Sequence, residues 1–217
     1  MDRKTCQAEP GSAIARDYSH GYLCMVYRVP RGWAVMFIRI ISGKYGGRKI
    51  DAPDNGRTHP MGERVRNAMF NSIADEIVGA RVLDAFAGTG SIGLEALSRG
   101  AKACTFVERD KIAQKVLAKN VVSLGADEQS QIIRSSVNAW IETTKPDYYD
   151  IIFADPPYHD LQLSTVSKLF AILKPNGLMV LSHTGRGEVP NLSELGIVVV
   201  DNRSYGNAHL TSFRRVG

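Results

Sequence analysis

No segment limits the possible folds of this chain as tightly as Asp84-Ala85-Phe86-Ala87-Gly88-Thr89-Gly90-Ser91-Ile92-Gly93. It stands between a short apolar run, Arg81 to Ala85, and the helix-patterned Ser91 to Ser98, so it is the turn of a strand–turn–helix unit. Gly88 and Gly90 omit a Cβ where the backbone has to turn tightly and approach a ligand, and Gly93 lets helix and strand pack closely. The same G-x-G-x-x-G spacing serves nicotinamide and flavin enzymes, and a plain tight turn could carry it too.

Further strand and helix patterns alternate after this unit. Lys102 to Glu108 is an apolar run, Asp110 can cap a helix through about Val122, and Gln131 to Arg134 reads as a strand. Asp150 to Ala154 (DIIFA) reads as a fully buried strand, and Leu161 to Leu173 as a helix stopped by Pro175 and Gly177. Leu178 to Leu181, Gly196 to Val200 and His209 to Arg214 supply three more strands. Such alternation predicts an α/β fold with a mostly parallel, Rossmann-like sheet covered on both faces, and the closely spaced last two strands predict an antiparallel C-terminal hairpin at one edge. Ahead of the glycine turn, Phe37 onward reads as a small hairpin around the turn Gly43 to Gly47. Met61 to Ile77 then reads as one amphipathic helix with Val65, Met69, Ile73 and Ile77 at a spacing of four.

Residues around the turn suggest which ligand it meets. A carboxylate at Asp84 would repel a pyrophosphate but attract an ammonium, which suits the amino-acid end of S-adenosylmethionine. Glu108, at the end of the next strand, can accept hydrogen bonds from both hydroxyls of a ribose. Asp155-Pro156-Pro157-Tyr158 follows DIIFA, at the sheet edge that carries the glycine turn and where open α/β sheets bind ligands. Consecutive prolines lack N–H donors and hold an extended backbone whose carbonyls can face a site. An exocyclic amine is a poor nucleophile because its lone pair is delocalised into the ring. The Asp155 carboxylate and the Pro156 carbonyl could accept its two hydrogens, localise the lone pair and stabilise charge growing on nitrogen, while Tyr158 offers a stacking face.

These motifs resemble the class I S-adenosylmethionine-dependent amino-methyltransferases. Arg39-Ile-Ile-Ser-Gly, Gly46-Gly-Arg-Lys-Ile, Glu63-Arg-Val-Arg and Val82-Leu-Asp-Ala-Phe-Ala-Gly-Thr-Gly-Ser-Ile-Gly-Leu-Glu-Ala narrow the resemblance to the RsmD family, from about Phe37 to Phe213. The resemblance implies a seven-stranded class I methyltransferase sheet with S-adenosyl-L-methionine as cofactor. It implies methylation of guanine N2 in small-subunit (16S) ribosomal RNA, with that RNA within a 30S particle or assembly intermediate as partner. Carried over by position, cofactor contacts fall on Asp84, Phe86, Gly88, Gly90, Glu108, Ser136 and Val137, and the catalytic motif on Asp155, Pro156, Pro157 and Tyr158. One departure is His59-Pro60-Met61-Gly62 before Glu63, where the family often has Arg-Pro-Thr-Thr-Asp before Arg-Val-Arg; it bears on substrate contact and helix capping.

Charge adds a partner. Seven Lys or Arg lie between Arg39 and Arg66 against three Asp or Glu, and the whole chain is +5. Arg39, Lys44, Arg48, Lys49, Arg64 and Arg66 are therefore expected to contact RNA phosphates, although an ordinary solvated basic face would look the same. Cys6, Cys24 and Cys104 are odd in number, widely spaced and outside any Cys/His cluster, so neither a disulfide framework nor a metal site is expected and a reducing cytoplasm fits. Arg28, Pro30 and Arg31 interrupt the apolar stretch at 21–41, so no membrane span or signal peptide is expected.

The expected organisation is an extension at 1–35, disordered or outside the natural product, a basic hairpin and helix at 36–78, and the methyltransferase domain at 79–217, acting as a monomer. Three other readings stay open on the sequence: adenine N6 or cytosine N4 in DNA as the amine, a nicotinamide-dependent oxidoreductase, and a non-catalytic RNA-binding module that retains the fold, against which the intact Asp155 and glycine turn argue.

Overall fold

The computed structural model describes residues 14–16, 24–26, 35–53, 61–157, 160–185, 192–193, 196–206 and 208–217. Two short antiparallel pairs come first, β1 (Ile14–Arg16) with β2 (Cys24–Val26) and β3 (Val35–Arg39) with β4 (Lys49–Pro53). Helices α1 (Glu63–Ser72) and α2 (Ala74–Ile77) follow. The rest is β5 (Arg81–Asp84), α3 (Ser91–Ser98), β6 (Ala103–Glu108), α4 (Lys111–Leu124), β7 (Ser130–Arg134), α5 (Val137–Ile141), β8 (Tyr149–Ala154), α6 (Leu163–Leu169), β9 (Leu173–His183), β10 (Ile197–Tyr205) and β11 (Ala208–Arg215).

Seven strands form one sheet in the order β10-β11-β9-β8-β5-β6-β7. Pairs from β9 to β7 are parallel, while β11 runs antiparallel to both β9 and β10. The expected mostly parallel sheet with a C-terminal antiparallel strand is the observed one, with β11 set between β9 and the edge strand β10. Successive side chains on a strand face opposite sides, so Val82, Ile151, Phe153 and Val180 join one core layer with α3, α4 and the hairpin. Leu83, Ile152, Ala154 and Leu181 join the other layer, with α5 and α6. Burial on both faces is why β5 and β8 read as continuous apolar runs.

Two local expectations fail. The helix expected over Met61 to Ile77 breaks at Ile73, which has φ −123° and ψ 20°, so the amphipathic face continues as a separate short turn. Ile73 and Ile77 stay buried in spite of the break, because the core needs the spacing and not an unbroken helix. Pro175 and Gly177 do not stop a helix either. α6 ends at Leu169, a 3₁₀ turn covers Phe170–Ile172, and both residues lie within β9. Their part of β9 bulges: Tyr149 pairs with Leu173 but Ile151 pairs with Leu178. A proline costs no ladder hydrogen bond in such a bulge.

Candidate active site

The strand order turns back on itself between β5 and β8, and the carboxyl ends of β5, β6, β7 and β8 share one edge. A crevice at such a switch point is the natural ligand site of an open α/β sheet. Asp84 ends β5, Glu108 ends β6, Ser136 and Val137 begin α5 after β7, and Asp155-Pro156-Pro157 follows β8. The expected cofactor and catalytic positions thus meet on this edge, except that Tyr158 lies outside the described residues. Phe86 is half-buried against the α5/α6 layer, and Ser136 caps α5, its hydroxyl accepting from Ala139 N at 3.3 Å.

Both glycines of the turn have left-handed backbones, φ +53° at Gly88 and +85° at Gly90. A Cβ on Gly88 would meet nothing within 4 Å, so that position faces open space above the turn. Gly93 has the opposite reason for its identity: a Cβ there would come within 2.3 Å of the Phe106 ring and 2.6 Å of Cys104 Sγ. Close approach of α3 to β6 therefore depends on a missing side chain.

Two carboxylates brace this loop. Glu108 accepts from Gly88 N at 2.7 Å and from Asp110 N at 2.6 Å. Asp110 then caps α4, its carboxylate accepting from Ile112 N and Ala113 N, both at 2.9 Å, a contact typically worth about 1 kcal/mol. Asp84 is 1% exposed and accepts from Gly93 N at 2.8 Å through Oδ2, while Oδ1 is buried with no hydrogen-bond partner. Burial pushes the Asp84 carboxyl up to about 7; the Gly93 N–H opposes this, and the charges of Asp155 and Glu108 add to it. Burial likewise raises Glu108, against the backbone N–H groups that bind it.

Asp155 is pushed up to about 6 by burial, with the Ser182 hydroxyl working in the opposite direction. Its side of the crevice is walled by Met61, Met69, Ile92, Phe153, Val180 and Leu210. Met61 and Met69 come from the N-terminal segment, so this segment completes the wall beside the catalytic candidate. Three carboxyl groups converge at the edge, and the structure leaves an acceptor at Asp84 Oδ1 without a donor. Such a set of acceptors fits a cationic ligand carrying hydroxyls and does not fit a pyrophosphate.

The basic residues divide. Lys44, Arg48, Lys49 and Arg64 are exposed. Arg39 is exposed but paired with Glu63. Arg48 donates to the carbonyls of Ser123 and Leu124 at the end of α4. Arg66 corrects the expectation of a phosphate contact, since it is 1% exposed and donates to Met61 O at 3.0 Å and Arg39 O at 2.6 Å. Its guanidinium approaches Glu95, which is fully buried in α3 and also accepts from Ile41 N at 2.7 Å, Ser42 N at 3.1 Å and Arg99 Nε at 2.7 Å.

Sequence reasoning missed Glu95 and one other buried polar residue, Asn120. Asn120 accepts from Asp51 N at 2.9 Å and donates to Asp51 O at 2.9 Å and Thr89 O at 3.0 Å, so it ties the hairpin to the glycine turn. A polar residue at a core position of α4, in line with Leu117, Val121 and Leu124, was the available signal. Among the described residues no helix is long and apolar enough to cross a membrane.

Comparison with known proteins gives the same picture. The family model described as Conserved hypothetical protein 95 matches residues 38–214. "Ribosomal RNA small subunit methyltransferase D" of Haemophilus influenzae is 39% identical over 147 residues, covering 65% of this chain and 76% of that protein. Its namesake from Escherichia coli K12 is 37% identical over 140 residues, covering 64% and 68%. The solved structure of yhhF from Escherichia coli superposes with a TM-score of 0.74 at 30% identity, covering 83% of this chain and 99% of that one. With the match running across the hairpin, the glycine turn and the Asp-Pro-Pro motif, the chain belongs to the Conserved hypothetical protein 95 family, the RsmD family of methyltransferases.

Proposed function

We propose that the chain transfers a methyl group from S-adenosyl-L-methionine to the exocyclic N2 of a guanine in small-subunit ribosomal RNA, within a 30S particle or assembly intermediate. The observation that carries this reading is the half-buried Asp155 carboxyl, followed by two prolines, on the same sheet edge as the Asp84 and Glu108 carboxyls. Similarity to ribosomal RNA small subunit methyltransferases D supports the RNA as substrate. When bound, S-adenosylmethionine supplies an electrophilic sulfonium methyl.

The protein's own part is to hold and orient. The free Oδ1 of Asp84 accepts from the ammonium end of the cofactor, and Glu108, whose oxygens keep unused lone pairs, accepts from the ribose hydroxyls. Phe86 and Val137 offer apolar surface to the adenine. Asp155 and the Pro156 carbonyl accept the two amine hydrogens, so the nitrogen lone pair points at the methyl, and Tyr158 stacks on the base. Asp155 would take the proton that the amine nitrogen would release on accepting that methyl. Lys44, Arg48, Lys49, Arg64 and Arg39 steer RNA phosphates toward this edge without reading sequence.

Incubation with labelled S-adenosylmethionine and undermethylated small subunits, followed by digestion of the RNA, should yield N2-methylguanosine. Label in N6-methyladenosine, or in duplex DNA only, would reject the guanine assignment.

Cofactor affinity should also depend on pH. Asp84 is protonated below about 7 in the ligand-free protein, and the ammonium needs it ionised. Between pH 5.5 and 7, below the range of the ligand's own α-amino group, affinity should rise by roughly tenfold. Asp84→Asn should flatten that rise, and calorimetry across this range would test it. The same raised pKa makes the ligand-free protein lose stability as pH climbs from 3.8 toward 7, because the folded state then binds the extra proton.

A further inference from the structure

The outer side of α4 has no part in the scheme so far. Lys111, Lys115 and Lys119 recur every fourth residue, all three exposed, and the helix has no acidic residue from Lys111 to Leu124. Four residues of α-helix rise about 6 Å, close to the spacing of successive phosphates along one strand. Lys111 sits in the first turn, where the peptide dipoles already concentrate positive charge, so its placement weakens the helix. Among the described residues neither Lys111 nor Lys115 has a carboxylate partner, whereas Lys119 Nζ lies 2.5 Å from Asp51 Oδ2.

That one ion pair joins two surfaces. Asp51 on β4 is directly opposite Phe37 on β3, and the two share the exposed face of the hairpin with Lys49. Phe37 is 58% exposed, an unusual state for a phenylalanine on a sheet, and Lys49 Nζ stands 5.8 Å from its ring centre. An open aromatic ring bordered by cations is a stacking platform, and a row of lysines running on from it, two of the three without a carboxylate partner, follows a phosphate chain. Asn120 fixes this surface to the glycine turn through Asp51 and Thr89.

We propose that Phe37, Lys49, Lys111, Lys115 and Lys119 form a docking surface for an unpaired stretch of RNA flanking the methylation target. The Phe37 ring stacks on one base while Lys111 and Lys115 neutralise successive phosphates. This rests on the reading of RNA as substrate.

The test compares wild type, Phe37→Ala and the double variant Lys111→Gln/Lys115→Gln, with unchanged melting and cofactor affinity as controls. Affinity for an unpaired oligoribonucleotide, for its duplex and for small subunits is measured across salt, beside single-turnover methyl transfer. The double variant should lower the slope of log affinity against log salt by about 1.4 for unpaired RNA, at ~0.7 per phosphate. Phe37→Ala should weaken unpaired RNA about tenfold and leave the duplex unchanged. At saturating particles, transfer should stay at the wild-type rate.

Unchanged affinity and slope in both variants would overturn the docking surface, and so would equal losses on duplex and unpaired RNA, since stacking needs a free base face. Losses confined to intact particles would assign the face to a ribosomal protein and overturn it too. If the expected losses appear but wild type methylates no ribosomal RNA, the docking surface stands and the proposed function falls.

Discussion

Single-turnover methyl transfer by Asp155→Asn should be slower than wild type by roughly 10²–10³-fold, with cofactor affinity hardly changed. The amide keeps the shape but presents either a neutral oxygen or an NH2 that donates where an acceptor is needed. A carboxylate gains as charge develops on the amine nitrogen, so its loss falls on the rate and not on ground-state binding. The pH profile gives a second readout. Burial raises Asp155 to about 6, so below that pH the carboxyl holds a proton, is a weaker neutral acceptor for the amine hydrogen and cannot take the proton released. The wild-type rate should climb through pH 6 and level off, and the variant should lack that limb. Near-wild-type transfer would mean that the Pro156 carbonyl and positioning suffice.

The second large effect concerns stability. Glu95→Ala removes the acceptor for Ile41 N, Ser42 N and Arg99 Nε and takes the nearest carboxylate from the buried Arg66 guanidinium. Breaking a buried ion pair from one side typically costs about 3–5 kcal/mol, because the remaining charge stays in a place water does not reach. At this chain length that corresponds to a fall in Tm on the order of 10 °C. Glu95→Gln keeps an acceptor and removes the charge, and should lose less. Thermal melting of both variants checks this, and a loss below about 1 kcal/mol for Glu95→Ala would show that Arg66 and Arg99 find other partners. Arg99 has some in hand, donating to Asn67 and Asn71 on α1 at 3.1 and 3.0 Å.

What the sequence reveals depends on how local the cause is. The turn from β5 to α3 and the Asp110 cap of α4 are set by residues within ten positions of one another, and both form as expected. Paired spacing likewise exposes the β10–β11 hairpin. Arg66 misleads because its sequence neighbours are Glu63 and Arg64, a pattern that reads as a solvated basic face. Its partners are Arg39 O and Glu95, 27 and 29 positions away. Pro175 misleads in another way: it breaks helices in general, but the bulge between β8 and β9 absorbs it, and a bulge is a property of two strands together. The convergence of Asp84, Glu108 and Asp155 was readable because all three stand at strand ends of a sheet whose parallel order follows from its alternation. Asn120 was not, since one asparagine in an amphipathic helix does not say whose backbone it binds.

The bonds that hold the β3–β4 hairpin against α3 and α4 reach across 53 to 76 residues of chain. A two-stranded hairpin alone is marginally stable in water. While the chain is being made, Ile38, Ile40, Ile50 and Ala52 leave the ribosome well before the helices that cover them. At ordinary elongation speeds the delay is roughly 3–15 s, long beside the microseconds a helix or hairpin takes to form. The apolar inner face of this hairpin therefore waits seconds for its cover, long enough for a nascent-chain chaperone to meet it.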